Sequence, residues 1–219
     1  MVASLQTTRQ IDYNESLNPF IDLSFPVSGT QLPADHGYAL LAAIANYVPN
    51  IKEHHDIAIL SAAGFGDRKG KILIMEHSCF RLRVPVTKIP MVYPLAGKRL
   101  RLGVHEVQLG IPTIHTLKPH AHLRSRIVTI KGYEEPELFL AAAKRQLEAL
   151  EIQGEILIPS DRNGNPARKT IKIKRFTVIG FTVEINQLSE EDSLKLQVYG
   201  LGGKRHMGCG VFIPVKERA

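Results

Sequence analysis

Ile21, Leu23 and Phe25 alternate with Asp22 and Ser24, the period-two pattern of a strand with one buried face. Pro26 and Gly29 mark its expected end. After Pro33, Asp35 stands where a helix cap belongs, and Leu40, Ile44, Tyr47 and Val48 recur at helical spacing. This predicts a helix to Asn46 that packs on the sheet. Residues 57–60 and 71–75 read as strands separated by a glycine-bearing turn at 64–70, and Phe80, Leu82 and Val84 then alternate with Arg81 and Arg83. Residues 86–95 predict a short helix in spite of Pro90 and Pro94. Leu100 and Leu102, set against Arg99 and Arg101, and then residues 107–111, return to the strand pattern, so basic residues repeatedly fall on the outer face.

The order of elements then repeats. Residues 127–131 predict a strand, and Pro136 is well placed to open a helix in which Leu140, Ala143, Leu147 and Leu150 recur. Strands follow at 155–158, 170–174 and 177–185, and Ser189 with Asp192 forms a capping-box-like start for a helix through Tyr199. Val211, Phe212 and Ile213 end the series with a strand-like run. Residues 1–15 show no periodicity and read as a loose arm.

Two successive β-α-β-β-α-β units are the economical reading: an α+β protein of tandem ferredoxin-like domains with antiparallel sheets. The repeat is one of architecture, not of residues. The proline- and histidine-bearing segment 114–122 is the expected junction, dividing the chain into domains at 1–118 and 119–219. Its histidines, His115, His120 and His122, have no cysteine or carboxylate close in sequence to complete a metal site, so neither a metal nor another cofactor is expected.

Composition narrows the class. With 44% hydrophobic and 22% charged residues the chain reads as a folded protein, and no apolar run approaches a bilayer span. The N-terminus lacks the plan of a signal peptide, so a cytosolic location is expected. Cys79 and Cys209 are expected to be reduced and unpaired, with Cys209 packing as a small residue.

Lys and Arg outnumber Asp and Glu by 28 to 21, a modest surplus whose placement matters more than its size. Arg162, Arg168, Lys169, Lys172, Lys174 and Arg175 face a single acid, Asp161. Lys172 and Lys174 are expected on one strand face opposite Ile171 and Ile173, just after a turn at Asn163-Gly164-Asn165, as in a basic hairpin suited to phosphates or a duplex groove. Residues 200–210 add five glycines to Lys204, Arg205 and His206, and Gly202 and Gly203 would let the backbone bend sharply beside a polyanion. The loop is neither a P-loop, since Lys204 is followed by Arg205, nor a dinucleotide fingerprint, whose third glycine is replaced by Arg205. Joined to Arg124, Arg126 and Lys131, the cations favour RNA or DNA. Trp is absent, as is the closely spaced aromatic pattern of RNA-recognition domains, so backbone and shape contacts are expected to outweigh base stacking.

Phe25-Pro26-Val27-Ser28-Gly29, Leu32-Pro33-Ala34-Asp35-His36-Gly37-Tyr38-Ala39-Leu40, Ser125-Arg126-Ile127-Val128-Thr129-Ile130-Lys131-Gly132 and residues 200–214 together resemble the CRISPR-associated protein family six, in particular its myxobacterial-type variant. The resemblance runs from about Asp22 to Pro214. It implies tandem ferredoxin-like folds and metal-independent cleavage of a precursor CRISPR transcript within its repeats. The partners would be that repeat RNA, as precursor and as guide, and other subunits of an effector complex. Such cleavage uses the neighbouring ribose 2′-hydroxyl as nucleophile and leaves a 2′,3′-cyclic phosphate and a 5′-hydroxyl. The protein need only orient groups, move protons and neutralise charge.

The family's active-site histidine commonly lies on the first helix, which points to His36 as the proton carrier. At a helix start the dipole favours an approaching phosphate and lowers an imidazole pKa. Tyr38 is a candidate for a hydrogen bond near the leaving oxygen, and Ser125, with Arg124 and Arg126, for stabilising phosphate charge. The rival reading is a non-catalytic RNA-binding subunit with the same fold and an idle His36. A cyclic phosphodiesterase is discounted, because His36-Gly37-Tyr38 and His115-Thr116-Leu117 do not supply its two His-x-Thr/Ser motifs.

Overall fold

The computed structural model describes residues 19–61, 65–66 and 70–215. The expected arm at 1–15 and part of the turn at 64–70 lie outside the described residues. The first half contains β1 (Phe20–Ser28), β2 (Gln31–Pro33), α1 (Gly37–Ala45), β3 (Ala58–Leu60), β4 (Phe65–Gly66), β5 (Lys71–Leu73), β6 (Cys79–Pro85), α2 (Ile89–Val92), β7 (Arg99–Leu102), β8 (His105–Leu109) and β9 (Thr113–Thr116). Its main antiparallel sheet runs β3-β6-β1-β8-β7, with β9 also paired to β1, and β2, β5 and β4 form a separate small sheet. Residues 114–116, expected within the junction, thus belong to a strand of the first sheet.

β1 runs straight through Pro26, its expected stop, for a local reason. On its second side β1 pairs with β9 at residues 21–24 and with β8 at 27–28, so Pro26 lies in the gap between the two partners. A proline there forfeits no ladder bond, and its carbonyl accepts from the Gly110 N–H at 2.8 Å. Pro90 and Pro94 are likewise accommodated, each in the first turn of a short helix where its missing N–H is not needed.

The second half contains β10 (Leu123–Val128), α3 (Pro136–Ala149), β11 (Glu155–Leu157), β12 (Arg168–Ile173), β13 (Phe176–Asn186), α4 (Glu190–Tyr199) and β14 (Ile213–Pro214). Its sheet runs β11-β13-β10-β14, with β12 on the far end of β13. Numbering the four principal strands of each half in chain order, both sheets read second-third-first-fourth, the ferredoxin-like order. Ser189 caps α4 as its spacing predicts: its hydroxyl accepts from the Asp192 N–H at 3.1 Å and donates to the Asp192 carboxylate at 2.9 Å.

Each half has its own core. One gathers Leu23, Phe25, Leu40, Ile44, Phe80 and Leu82 between α1 and the first sheet; the other gathers Phe139, Ala143, Leu147, Phe181 and Val183 beneath α3. The reverse face of the first sheet is also covered. Ala58 and Leu60 pack against Val211 and Ile213, which brings the C-terminal segment across it. This overturns the expectation that Arg83 lies on a wet face: it is 1% exposed and bonds Asp22 together with the carbonyls of Gln197 and Phe212.

Candidate nucleic-acid interface

The second half meets α1 at its N-terminus. Asp35 does not cap the helix; its carboxylate instead accepts the Lys172 N–H of β12 at 2.6 Å, and His36 occupies the cap position without a side-chain cap bond. An edge strand has N–H groups to spare, and this one spends its donor on the other half of the molecule. Gly37 follows, and only glycine fits there: a Cβ would stand 2.3 Å from the Met207 carbonyl oxygen. A 3₁₀ turn at Arg205–Met207 therefore lies directly against the start of α1.

β10 holds the glycine-rich loop. It bulges between Ser125 and Val128, which turns the Ile127 carbonyl to the Gly210 N–H at 2.8 Å. Thr129 then brackets Gly203, its carbonyl accepting from the Gly203 N–H at 2.9 Å and its hydroxyl donating to the Gly203 carbonyl at 3.2 Å. The Gly202 N–H donates to Gln146 of α3 at 2.7 Å. The amides of Gly202 and Gly203 are thus spent within the protein, and the loop presents the exposed Lys204 to solvent instead of a nest of free N–H groups.

His36 is 2% exposed. Its Nδ1 donates to the Pro33 carbonyl at 2.8 Å, which leaves the acceptor lone pair of the neutral ring on Nε2. That Nε2 is buried and has no hydrogen-bond partner among the described residues. Burial lowers the His36 pKa, opposed by the Pro33 hydrogen bond; the charge of Arg126 lowers it further and that of Asp35 raises it. Its lowered pKa therefore follows chiefly from burial, whereas the sequence pointed to the helix dipole.

The other predicted residues divide. Arg126, Arg168, Lys169, Lys172 and Lys204 are exposed around the corner formed by α1, β10, β12 and the loop, and Arg126 is near enough to His36 and Cys209 to act on both electrostatically. Lys131 is exposed beyond the end of β10. Lys174 is exposed but does not share a strand face with Lys172; it sits in the two-residue turn joining β12 to β13, at φ 55°. Arg124 is drawn toward Glu184 at 3.2 Å, which His122 also contacts. Arg205 turns back to the Val198 carbonyl at the end of α4, and His206 donates from Nε2 to the His54 carbonyl at 2.9 Å.

Ser125 is a correction: it is fully buried and its hydroxyl donates to the Ile127 carbonyl at 3.2 Å, so it braces the bulge and does not face a ligand. Tyr38 is half-buried on α1. Cys209 packs as expected, with burial pushing its thiol up to about 11. The roles of Asp35 and Arg83 had no local signal, because the groups they engage lie more than sixty positions away in the chain. No helix among the described residues is long and apolar enough to cross a membrane.

Residues 21–217 match the family described as Cas6 Crispr. The CRISPR-associated endonuclease Cas6 of Myxococcus xanthus (strain DK1622) is 36% identical over 199 residues, covering 91% of this chain and 83% of that protein. Among solved structures, a CRISPR associated protein Cas6 aligns with a TM-score of 0.64 at 15% identity, over 91% of this chain and 100% of the other. A Cas6-related protein from Pyrococcus furiosus gives 0.59 at 13% identity, over 92% and 100%. At these identities the two structures speak to the fold alone.

Proposed function

Because this chain belongs to the Cas6 family of CRISPR proteins, we propose that it is an endoribonuclease that cuts precursor CRISPR RNA within its repeats. The cut proceeds without a metal: the ribose 2′-hydroxyl attacks the adjacent phosphate, giving a 2′,3′-cyclic phosphate and a 5′-hydroxyl. The observation that carries the reading is the 36% identity to a CRISPR-associated endonuclease over 91% of the chain.

The site supplies the parts this reaction needs. His36 Nε2 is an imidazole acceptor with no partner among the described residues, and a buried polar atom left unsatisfied costs about 1–3 kcal/mol unless a ligand uses it. With its pKa lowered, the ring is neutral near pH 7 and able to take the 2′-hydroxyl proton. Arg126, Lys172 and Lys204 form the cationic rim on which phosphates of the repeat RNA are held. We place the boundary between the two ferredoxin-like domains at 118/119.

One observation favours the rival reading of an RNA-binding subunit without catalysis. His36 is almost fully enclosed, so RNA reaches Nε2 only if the surrounding structure moves. Incubation with repeat RNA in EDTA separates the two. The nuclease reading expects cleavage to a cyclic phosphate by the wild type, and uncut but bound RNA with His36→Ala. No cleavage, or equal cleavage by the variant, would overturn the role assigned to His36.

A further inference from the structure

The β12–β13 hairpin ends in an aromatic ring that its own core does not need. Phe176 opens β13 directly opposite Ile173, on the face that carries Ile171 and Val178. Those three pack with Ile127, Cys209 and Met207, beneath the glycine-rich loop. Phe176 continues that apolar face beyond the cluster and is 60% exposed, the most open phenylalanine among residues whose side chains are described. The Arg175 guanidinium lies over its ring, 5.2 Å from the centroid.

The position of the ring matters as much as its exposure. Thr177, the next residue, pairs with Lys172, whose N–H is bonded to Asp35, the neighbour of His36 in sequence. The hairpin tip therefore lies along the same corner as the candidate site, with the exposed Lys174 and Arg175 in its turn and Lys172 on the opposite face of the hairpin. An apolar ring flanked by the cations of its own turn suits a ligand that is itself a flat apolar face bordered by phosphates.

We propose that Phe176 is a base-stacking residue: its ring receives an unpaired nucleobase of the bound RNA while Lys174 and Arg175 of the same turn hold the flanking phosphates. This rests on the reading that RNA is the ligand, and it departs from the expectation that base stacking plays little part. Stacking uses the π-face that every base has, so the contact positions the strand without reading its sequence.

The test measures affinity for repeat RNA across a salt series, with 2-aminopurine placed at successive unpaired positions. Phe176→Ala is expected to weaken binding on the order of tenfold, the usual size of one lost base stack, and to leave the salt slope unchanged. Phe176→Trp keeps the affinity, whereas Phe176→Leu, apolar but without a π-face, binds as weakly as Phe176→Ala. At one position 2-aminopurine is quenched by the wild type and not by Phe176→Ala. The proposal is overturned if Phe176→Ala binds like the wild type, if Phe176→Leu restores binding, or if no position is quenched. Should repeat RNA not be preferred over an unrelated single strand while the variants keep this ranking on both, the stack stands and the repeat-specific reading falls.

Discussion

Arg83 and Asp22 face each other across β6 and β1 in a buried two-bond ion pair, Nε to Oδ1 at 2.7 Å and Nη2 to Oδ2 at 3.0 Å. The remaining Nη1 donates to the Gln197 carbonyl at 2.8 Å and the Phe212 carbonyl at 2.9 Å, so one guanidinium ties the first sheet to α4 and to the C-terminal segment. Removing one partner of such a pair leaves an uncompensated buried charge, which costs about 3–5 kcal/mol. Arg83→Met is therefore expected to lower the unfolding free energy, measured by denaturant titration, by an amount in that range. Asp22→Leu combined with Arg83→Met should recover only part of it, because the two carbonyls stay unsatisfied; full recovery would show that the clamp across the halves contributes nothing.

That residue also shows where the sequence stops being legible. Alternation of Leu82 and Val84 with Arg81 and Arg83 correctly told which side of β6 meets the α1 core, but alternation cannot say whether the other side is wet. In this fold residues 211–213 cover it, and Arg83 is enclosed by groups distant in the chain. Features set by neighbours within a few residues were readable: the Ser189–Asp192 cap, the helix opened by Pro136, and the buried Leu40, Ile44 and Val48. The site itself was half readable. His36 and its cationic rim could be named, whereas its burial, the bond of Asp35 to the other half, and the use of the loop amides as struts toward Gln146 and Thr129 depend on groups distant in the chain.

The pKa of His36 makes stability depend on pH with a definite sign. Burial holds the folded-state value below the ordinary 6.5, so below that pH the unfolded chain binds the proton more readily. The associated stability is present above about pH 6.5 and is lost as pH falls through the lowered folded value. His206, lowered mainly by burial as well, acts in the same direction. Thermal melts between pH 8 and 5 should show a decline on the acid side that becomes shallower in His36→Gln and shallower again when His206→Gln is added. An unchanged decline in the double variant would assign the effect to other groups.

Gly37 sets two effects against each other. Replacing a helical glycine by alanine ordinarily stabilises by up to about 1 kcal/mol. Here the new Cβ would stand 2.3 Å from the Met207 carbonyl oxygen, a backbone atom that cannot rotate away. The steric term wins, and Gly37→Ala should lower the melting temperature and slow cleavage of repeat RNA by prising the Arg205–Met207 turn off α1. Gly203→Ala is the control: nothing lies within 4 Å of its Cβ and its φ is not positive, so both properties should stay near wild type.

Lys204 offers the cleanest reading of the loop's part in binding, because its backbone is held at φ 64°, where a side chain is strained and glycine is not. Lys204→Gly removes the charge while relaxing the chain, so weaker RNA binding in this variant would not come from unfolding. We expect the melting temperature to hold or rise. The slope of log K against log salt should become shallower by about 0.7–0.9, the share of one phosphate contact. Arg205→Ala should behave in the opposite way, since that guanidinium is bonded to the Val198 carbonyl: stability falls first, and the salt slope changes little among molecules still folded. Should Lys204→Gly leave the slope untouched, the cationic contribution of this loop to RNA binding would have to be reassigned to β12 and Arg126.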